Sequence, residues 1–335
     1  MTRRRPPTSP GPAGRIRVAA FRPDGMIDLD GDAALQRLPS LLTDETATVW
    51  VDLAAPSADQ VQSVGATLGL HHLIVEDVLE GNQRAKLETT ESVIHLVLFA
   101  LAHARQFVAS EIDLVLGPRF LLSVHDDGWD PRATHHLREG LSSIMGRGPD
   151  HLLWALCDDI VDGYFPFTDD LGDAIDEVQD QVIVEATPEA LQGLFELKRE
   201  LIEVRRAASP TREVFSQLTN RDLPLIDPAE IIYFRDVYDH VIRLTDELDN
   251  YRELASSTLD VYLTQVNNRL SVIMKRLTGV TVVLAGIGAV AGVFGMSEAA
   301  TALGGGEASG FWIVTGVLGL VAAVAVVVLR RIDWI

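Results

Sequence analysis

A single cysteine, Cys157, in 335 residues excludes an intramolecular disulfide framework and any thiolate zinc cluster built from one chain. It fits a reducing compartment for the bulk of the protein. Basic residues are also scarce. Lys and Arg number 28 against 48 Asp and Glu, a formal net charge of −20, which argues against nucleic acid as a partner and draws divalent cations to the surface. No G-x-x-x-x-G-K-[ST] phosphate loop is present, so ATP-driven pumping has no support. No H-E-x-x-H or clustered His/Cys spacing occurs either. The adjacent pairs His71–His72 and His135–His136 point in different directions on a helix and read as structural or surface histidines. No Ser-His-Asp arrangement can be identified, and the chain reads as a non-enzyme with no catalytic residues and no catalytic cofactor.

What the chain has in abundance is apolar surface, 47% of its residues, concentrated at the C-terminus. Leu277–Ser297 holds 21 residues without a charge, and Ala308–Leu329 holds 22 more. At about 1.5 Å of rise per residue, each can cross a hydrocarbon core of roughly 30 Å. Two such runs a short loop apart read as transmembrane helices, 277–297 and 308–329, rather than as a buried core pair. Arg269, Lys275 and Arg276 precede the first span, and Arg330 and Arg331 open the basic tail at 330–335; the loop at 298–307 has no Lys or Arg. Both termini are therefore expected on the cytoplasmic side of a plasma membrane. The first span starts too late to be a signal peptide, and Trp312 and Trp334 suit interfacial anchoring in lipid. The first span is rich in small residues, with Gly288 and Gly292 as a small-xxx-small pair. Two spans cannot enclose a polar path, so ion passage would need several subunits, each contributing its first span.

Residues 1–14, rich in Pro and Gly, are expected to be a disordered tail. Residues 15–130 read as an α/β domain with strands at Ile16–Phe21, Thr48–Asp52, Ser92–Ala102, Glu111–Leu116 and Phe120–His125, and a Gly117–Pro118 turn between the last two. Helices are expected at Ser57–Leu68, with Ser57 as N-cap, and at Leu73–Leu79. Residues 131–276 read as helical, with apolar periodicity over His151–Val184 and Pro188–Arg206. Ile231, Phe234, Val237, Val241, Leu244 and Leu248 keep a heptad-like spacing. One helix from about Ala229 to Met296 would be roughly 100 Å long, a stalk entering the bilayer directly.

Three separated stretches carry a resemblance. The run from Tyr233 to Val283, opening YFRDVYDH, the segment LHHLIVEDVLEGNQRAKLE (Leu70–Glu88) and HLLWALCDDIVDGYF (His151–Phe165) resemble the CorA family of divalent-cation transporters, in one order over residues 15–335. The resemblance implies an α+β (α/β/α-like) cytoplasmic domain, a very long stalk helix and two C-terminal transmembrane helices, in a funnel-shaped homopentamer whose first spans line the pore. The chain departs from the family at its signature: Gly-Met-Asn reads Gly295-Met296-Ser297. In the family the asparagine ring receives the hydrated ion; Ser297 offers an acceptor on a shorter side chain, and altered selectivity is expected. Gly286 lies where the pore helix commonly has proline, and the outer loop differs, though Glu298 and Glu307 can still concentrate cations.

Asp260, Asn267, Ser271, Met274, Leu277, Ala285 and Gly288 fall on one face of the pore helix at spacings of three, four, seven and eight. Periodicity alone reads Met274 and Leu277 as ordinary packing. The resemblance makes them a hydrophobic constriction able to gate by dewetting, with Asp260 a carboxylate ring at the cytoplasmic mouth and Ser271 where the family often has asparagine. The resemblance also assigns Glu76, Asp77, Asp158 and Asp236 to carboxylates that meet between subunits and share regulatory Mg²⁺, although a solvated surface acid is the ordinary reading of any one of them. A passive, potential-driven transporter of Mg²⁺, and also Co²⁺, is the leading expectation. A Zn²⁺, Co²⁺ or Ni²⁺ transporter coupled to protons, as in ZntB-like relatives, and a non-conducting membrane metal sensor both stay open.

Overall fold

The computed structural model describes residues 14–81, 83–90, 92–103, 107–294 and 307–331. Seven strands form one sheet in the order β2-β1-β3-β7-β6-β5-β4. Strands β1 (Arg15–Arg22) and β2 (Gly25–Asp30) pair antiparallel with Arg22 opposite Gly25, so Pro23-Asp24 makes the turn. Proline presets the first turn position, and Gly25 takes the positive φ of 142° that follows. β3 (Thr48–Ala54) lies between β1 and β7 (Phe120–His125), parallel to β7; every other pairing is antiparallel. β5 (Ile94–His103), β6 (Phe107–Leu116) and β7 form a meander, and β4 (Lys86–Thr89) closes the far edge. The Gly117 amide donates to the Phe120 carbonyl, which places the β6–β7 turn at Gly117–Pro118 as expected.

Alternation along the strands feeds two cores. Val18, Ala20, Val49, Val51, Leu53, Leu122 and Val124 pack beneath helices α1 (Gly31–Thr43), α2 (Ala58–Leu68) and α3 (His72–Glu80). Ser57 caps α2 in a reciprocal box: Ser57 Oγ accepts from the Gln60 amide, and Gln60 Oε1 accepts from the Ser57 amide. At the close approach of α2 and α3, a Cβ on Gly65 would sit 2.7 Å from Val75 Cγ2. Helices α4 (His135–Met145) and α5 (Pro149–Asp162) cover the other face, α5 contacting β3, β5, β6 and β7. The result is the expected α/β/α layering. The helical pattern over His151–Val184 is interrupted at Gly163-Tyr164, where α5 ends and α6 (Phe165–Val184) begins. Tyr164, 1% exposed, donates its hydroxyl to the Phe99 carbonyl and pins that break to the sheet.

Helix α7 runs Pro188–Asn220 and α8 runs Ile231–Phe294, 64 residues, or about 96 Å at 1.5 Å per residue. Phe234, Val237, Val241, Leu244 and Leu248 of the heptad-like series are buried, and Ile231 is half-buried. The final helix, α9, spans Glu307–Arg331. The chain divides into two compact units, one through Val178 together with Gln192–Ser256, the other Gln179–Leu191 with Ser257 onward. Helices α4 and α5 thus share a unit with the sheet. Among the described residues, one helix, α8, is long enough and has a stretch apolar enough to cross a membrane.

Candidate functional site

Beyond Ser256, α8 is almost bare. Asp260, Asn267, Ser271, Met274, Leu277, Ala285 and Gly288 are all exposed, Met274 and Leu277 at 58% and 59%. With 3.6 residues per turn they share a sector of about 120°. On the opposite side, Val283, Gly286, Ile287 and Val290 line a groove with Leu318, Val321, Ala322 and Ala325 of α9. The second helix therefore packs away from the polar-and-apolar stripe and leaves it uncovered. A Cβ at Gly286, Gly288 or Gly292 would meet no atom among the described residues, so α9 does not require the small residues there. Gly295, Met296, Ser297 and Glu298 lie outside the described residues; Glu307 opens α9.

The four acids assigned to regulation lie on three helices, Glu76 and Asp77 on α3, Asp158 on α5 and Asp236 on α8. Glu76 is exposed on α3, beside a groove lined by Ala66, Leu70, His72, Val75 and Leu79. Asp77, next to it, is already paired: Lys86 Nζ lies 2.5 Å from Asp77 Oδ2 and 3.1 Å from Glu88 Oε1. Burial disfavours the ammonium, but the bonds to Asp77 and Glu88 outweigh it and hold the Lys86 pKa above its ordinary value. Asp77, Glu88 and His95 have ligand atoms within 4.8 Å of one another. Lys86 supplies the positive charge to both acids, and His95 Nε2 is bonded to Asp113 at 2.8 Å. Asp158 is buried on α5 with its Oδ2 2.8 Å from His136 Nε2. Burial raises its pKa, Asp162 adds to the rise, and His136 opposes it. Asp236 is exposed on α8.

The sequence matches the family described as CorA-like Mg²⁺ transporter protein over residues 45–331. It is 32% identical over 300 residues to the cobalt/magnesium transport protein CorA of Thermotoga maritima, spanning 87% of this chain and 85% of that one. The chain belongs to the CorA family. It is also 22% identical over 311 residues to the cobalt/magnesium transport protein CorA of Methanocaldococcus jannaschii, covering 91% of this chain and 97% of that one. The complete structure of the CorA magnesium transporter from that organism superposes with a TM-score of 0.79 at 20% identity, over 96% of this chain and 98% of the other. At that identity the likeness shows the fold. As a CorA-family member the chain is a membrane transporter of divalent cations and not an enzyme.

Within this CorA-family fold the histidines do more than the sequence disclosed. His71 serves as N-cap of α3, its Nδ1 accepting from the Leu73 amide at 3.3 Å. Four others meet carboxylates: His95 with Asp113, His125 with Asp52, His136 with Asp158 and His151 with Glu230, at 2.7–3.1 Å. His240 approaches Asp162 at 3.4 Å. These partners are 18 to 79 residues apart in the first four pairs, and no local spacing signals such pairing. Cys157 is fully buried, and burial pushes its thiol pKa far up, so it is an inert core residue.

Proposed function

We propose that this CorA-family chain assembles as a homopentamer in lipid, with α8 from each copy lining a central path for passive uptake of Mg²⁺, and of Co²⁺ as a second cargo. The observation that carries the reading is the bare sector of α8, whose Asp260, Asn267, Ser271, Met274 and Leu277 face away from α9. Five copies turn each position into a ring. Asp260 gathers cations at the cytoplasmic mouth, Asn267 and Ser271 offer oxygens to a hydrated ion, and Met274 with Leu277 forms an apolar constriction that closes by dewetting. Gly288 lets helices approach closely. Ser297, in Gly295-Met296-Ser297, accepts hydrogen bonds from the waters of the incoming ion, and Glu298 and Glu307 raise cation concentration outside.

The charge asymmetry flanking 277–297 and 308–329 supports two spans with both termini cytoplasmic. Entry then runs down an inside-negative potential worth roughly 2.3 kcal/mol per charge per 100 mV. Regulation falls to Glu76, Asp77, Asp158 and Asp236, brought together between neighbouring copies, where Mg²⁺ turns carboxylate repulsion into a clamp that loosens as cytosolic metal falls. In each copy Lys86 must release Asp77 before that residue can bind metal.

The test is flux into proteoliposomes of the full-length protein, with a Mg²⁺-sensitive dye inside, Zn²⁺ and Co²⁺ as competitors, and Ser297→Asn beside wild type. Saturable Mg²⁺ entry, increased by Ser297→Asn, is the expected result. Entry of Zn²⁺ without Mg²⁺ would reassign the cargo. No flux of any cation through folded, pentameric protein would leave a metal sensor.

A further inference from the structure

Strand pairing gathers polar side chains on the edge of the sheet nearest α3. Lys86 of β4 lies opposite Val97 of β5, Glu88 lies opposite His95, and Asp113 of β6 lies opposite Val97. Residues directly opposite in an antiparallel ladder share a face, so Lys86, Glu88, His95 and Asp113 stand on one side, where Asp77 of α3 meets them. Both oxygens of Asp77 are held, Oδ2 by Lys86 Nζ at 2.5 Å and Oδ1 by Gln83 Nε2 at 3.4 Å. The same ammonium reaches Glu88 Oε1 at 3.1 Å. His95 is 0% exposed; its Nε2 lies 2.8 Å from Asp113 Oδ1, and its Nδ1 is buried with no hydrogen-bond partner. With Nε2 donating to that carboxylate, a neutral ring leaves Nδ1 an acceptor. A buried acceptor without a donor carries its desolvation cost uncompensated. Three carboxyl groups and this nitrogen are thus gathered against a single ammonium.

We propose that Lys86 is a tethered cation standing in the place of a hydrated Mg²⁺ ion, which on displacing it binds Asp77 and Glu88 with His95 holding one of its waters. The inference rests on the reading of Asp77 as a regulatory metal ligand and adds Glu88, His95 and the competitor Lys86 to it. One oxygen of each acid and a ring nitrogen of His95 lie within 4.8 Å of one another. Mg²⁺ bonds oxygen at about 2.0–2.1 Å, which puts opposed ligands about 4.2 Å apart, and it keeps several waters. A water on the ion donates to the His95 nitrogen that now has no donor. The double charge balances both carboxylates, whereas the ammonium balances one. Lys86 is able to leave, because its charge rides on a flexible four-carbon stem and β4 is the edge strand of the sheet. A tethered competitor lowers the apparent affinity for metal by the fraction of molecules in which it has let go. Lys86 therefore sets the cytosolic concentration at which Mg²⁺ begins to act.

The experiment is Mg²⁺ titration of the full-length protein in detergent, read as the rise in melting temperature with metal. Lys86→Met should shift the half-effective Mg²⁺ concentration down by roughly fivefold or more, the scale of one partly exposed ion pair. Lys86→Gln makes the same measurement where the apolar variant does not fold. Lys86→Arg, which keeps the charge, should stay near the wild-type midpoint. In an Asp77→Asn background the shift on Lys86→Met should vanish, a result that a general loss of stability would not produce. A midpoint unmoved or raised by both neutral variants, with Mg²⁺ stabilisation still lost on Asp77→Asn, would overturn the competition and leave Asp77 as a regulatory ligand. Mg²⁺ stabilisation indifferent to Asp77→Asn would overturn the regulatory reading of Asp77 and the competition together. Neither result depends on flux, so the pore reading stands or falls separately.

Discussion

Replacing Asp52 with alanine tests a deeply buried ionic network of the sheet. Asp52 is 2% exposed on β3, in register with Ser123 of β7, while His125 lies opposite Ala54. Its Oδ1 accepts from Ser123 Oγ at 2.6 Å and lies 3.1 Å from His125 Nε2; Trp50 Nε1 in turn donates to Ser123 Oγ at 3.0 Å. His125 Nδ1 meets the Asp126 carbonyl oxygen at 2.5 Å. A ring with an acceptor at each nitrogen is satisfied only as imidazolium, which donates at both. Burial alone would lower the His125 pKa, but the bond to Asp52 and its charge outweigh burial and raise it above the ordinary 6.5. Asp52→Ala strands a buried cation and removes the hydroxyl's acceptor. Breaking such a pair from one side costs about 3–5 kcal/mol. At about 2–4 °C per kcal/mol for a unit of this size, the melting temperature should fall by roughly 6–20 °C.

The assay is thermal unfolding of full-length wild type and Asp52→Ala in detergent across pH. Because the native His125 pKa is raised, the pair's contribution is fully present below pH 6.5 and fades as pH climbs through the native value. The gap between the two proteins should therefore be widest at mildly acid pH and narrow toward alkaline pH. A gap that widens with pH, or melting temperatures within about 2 °C throughout, would refute the reasoning.

Other outcomes follow from single contacts. Ser57→Ala removes the capping box at α2 and should cost about 1 kcal/mol, measured as a lower melting temperature with transport unchanged. Gly65→Ala puts a methyl 2.7 Å from Val75 Cγ2 and should cost about 1–3 kcal/mol; adding Val75→Ala should relieve the clash, and a double mutant destabilised by the full sum of the two single costs would argue against it. Leu277→Asn converts an apolar ring of the proposed pore into a hydrated one, so basal cation flux in proteoliposomes should rise several-fold; unchanged flux would move the constriction elsewhere.

Much of this protein is local physics and was legible as such. The α2 cap needed only Ser57 and Gln60, three residues apart. The turn at Gly117–Pro118 followed from its residues, and α8 from a stretch free of Gly and Pro between residues 229 and 278. The edges of the sheet were not legible. β2 and β4 are short, partly exposed strands bearing Asp28, Asp30, Lys86 and Glu88, and an edge strand with one bonded flank shows little of the alternation that betrays a central one. α1 escaped notice because Pro39 interrupts it in sequence, although proline is held there by the burial of Leu38 and Leu41.

The acids illustrate the same division. Sequence alone set the negative charge, the apolar C-terminal runs and the spacing that aligns Asp260 with Leu277, because each depends on composition or on a helix's own period. It had no means of setting which acid meets which base. Lys86 reaching Asp77, His136 holding Asp158, and His240 arriving beside Asp162 all depend on the registers and crossings of separate elements. A carboxylate's role is decided by its desolvation and its nearest charges, and those exist only once distant segments have packed.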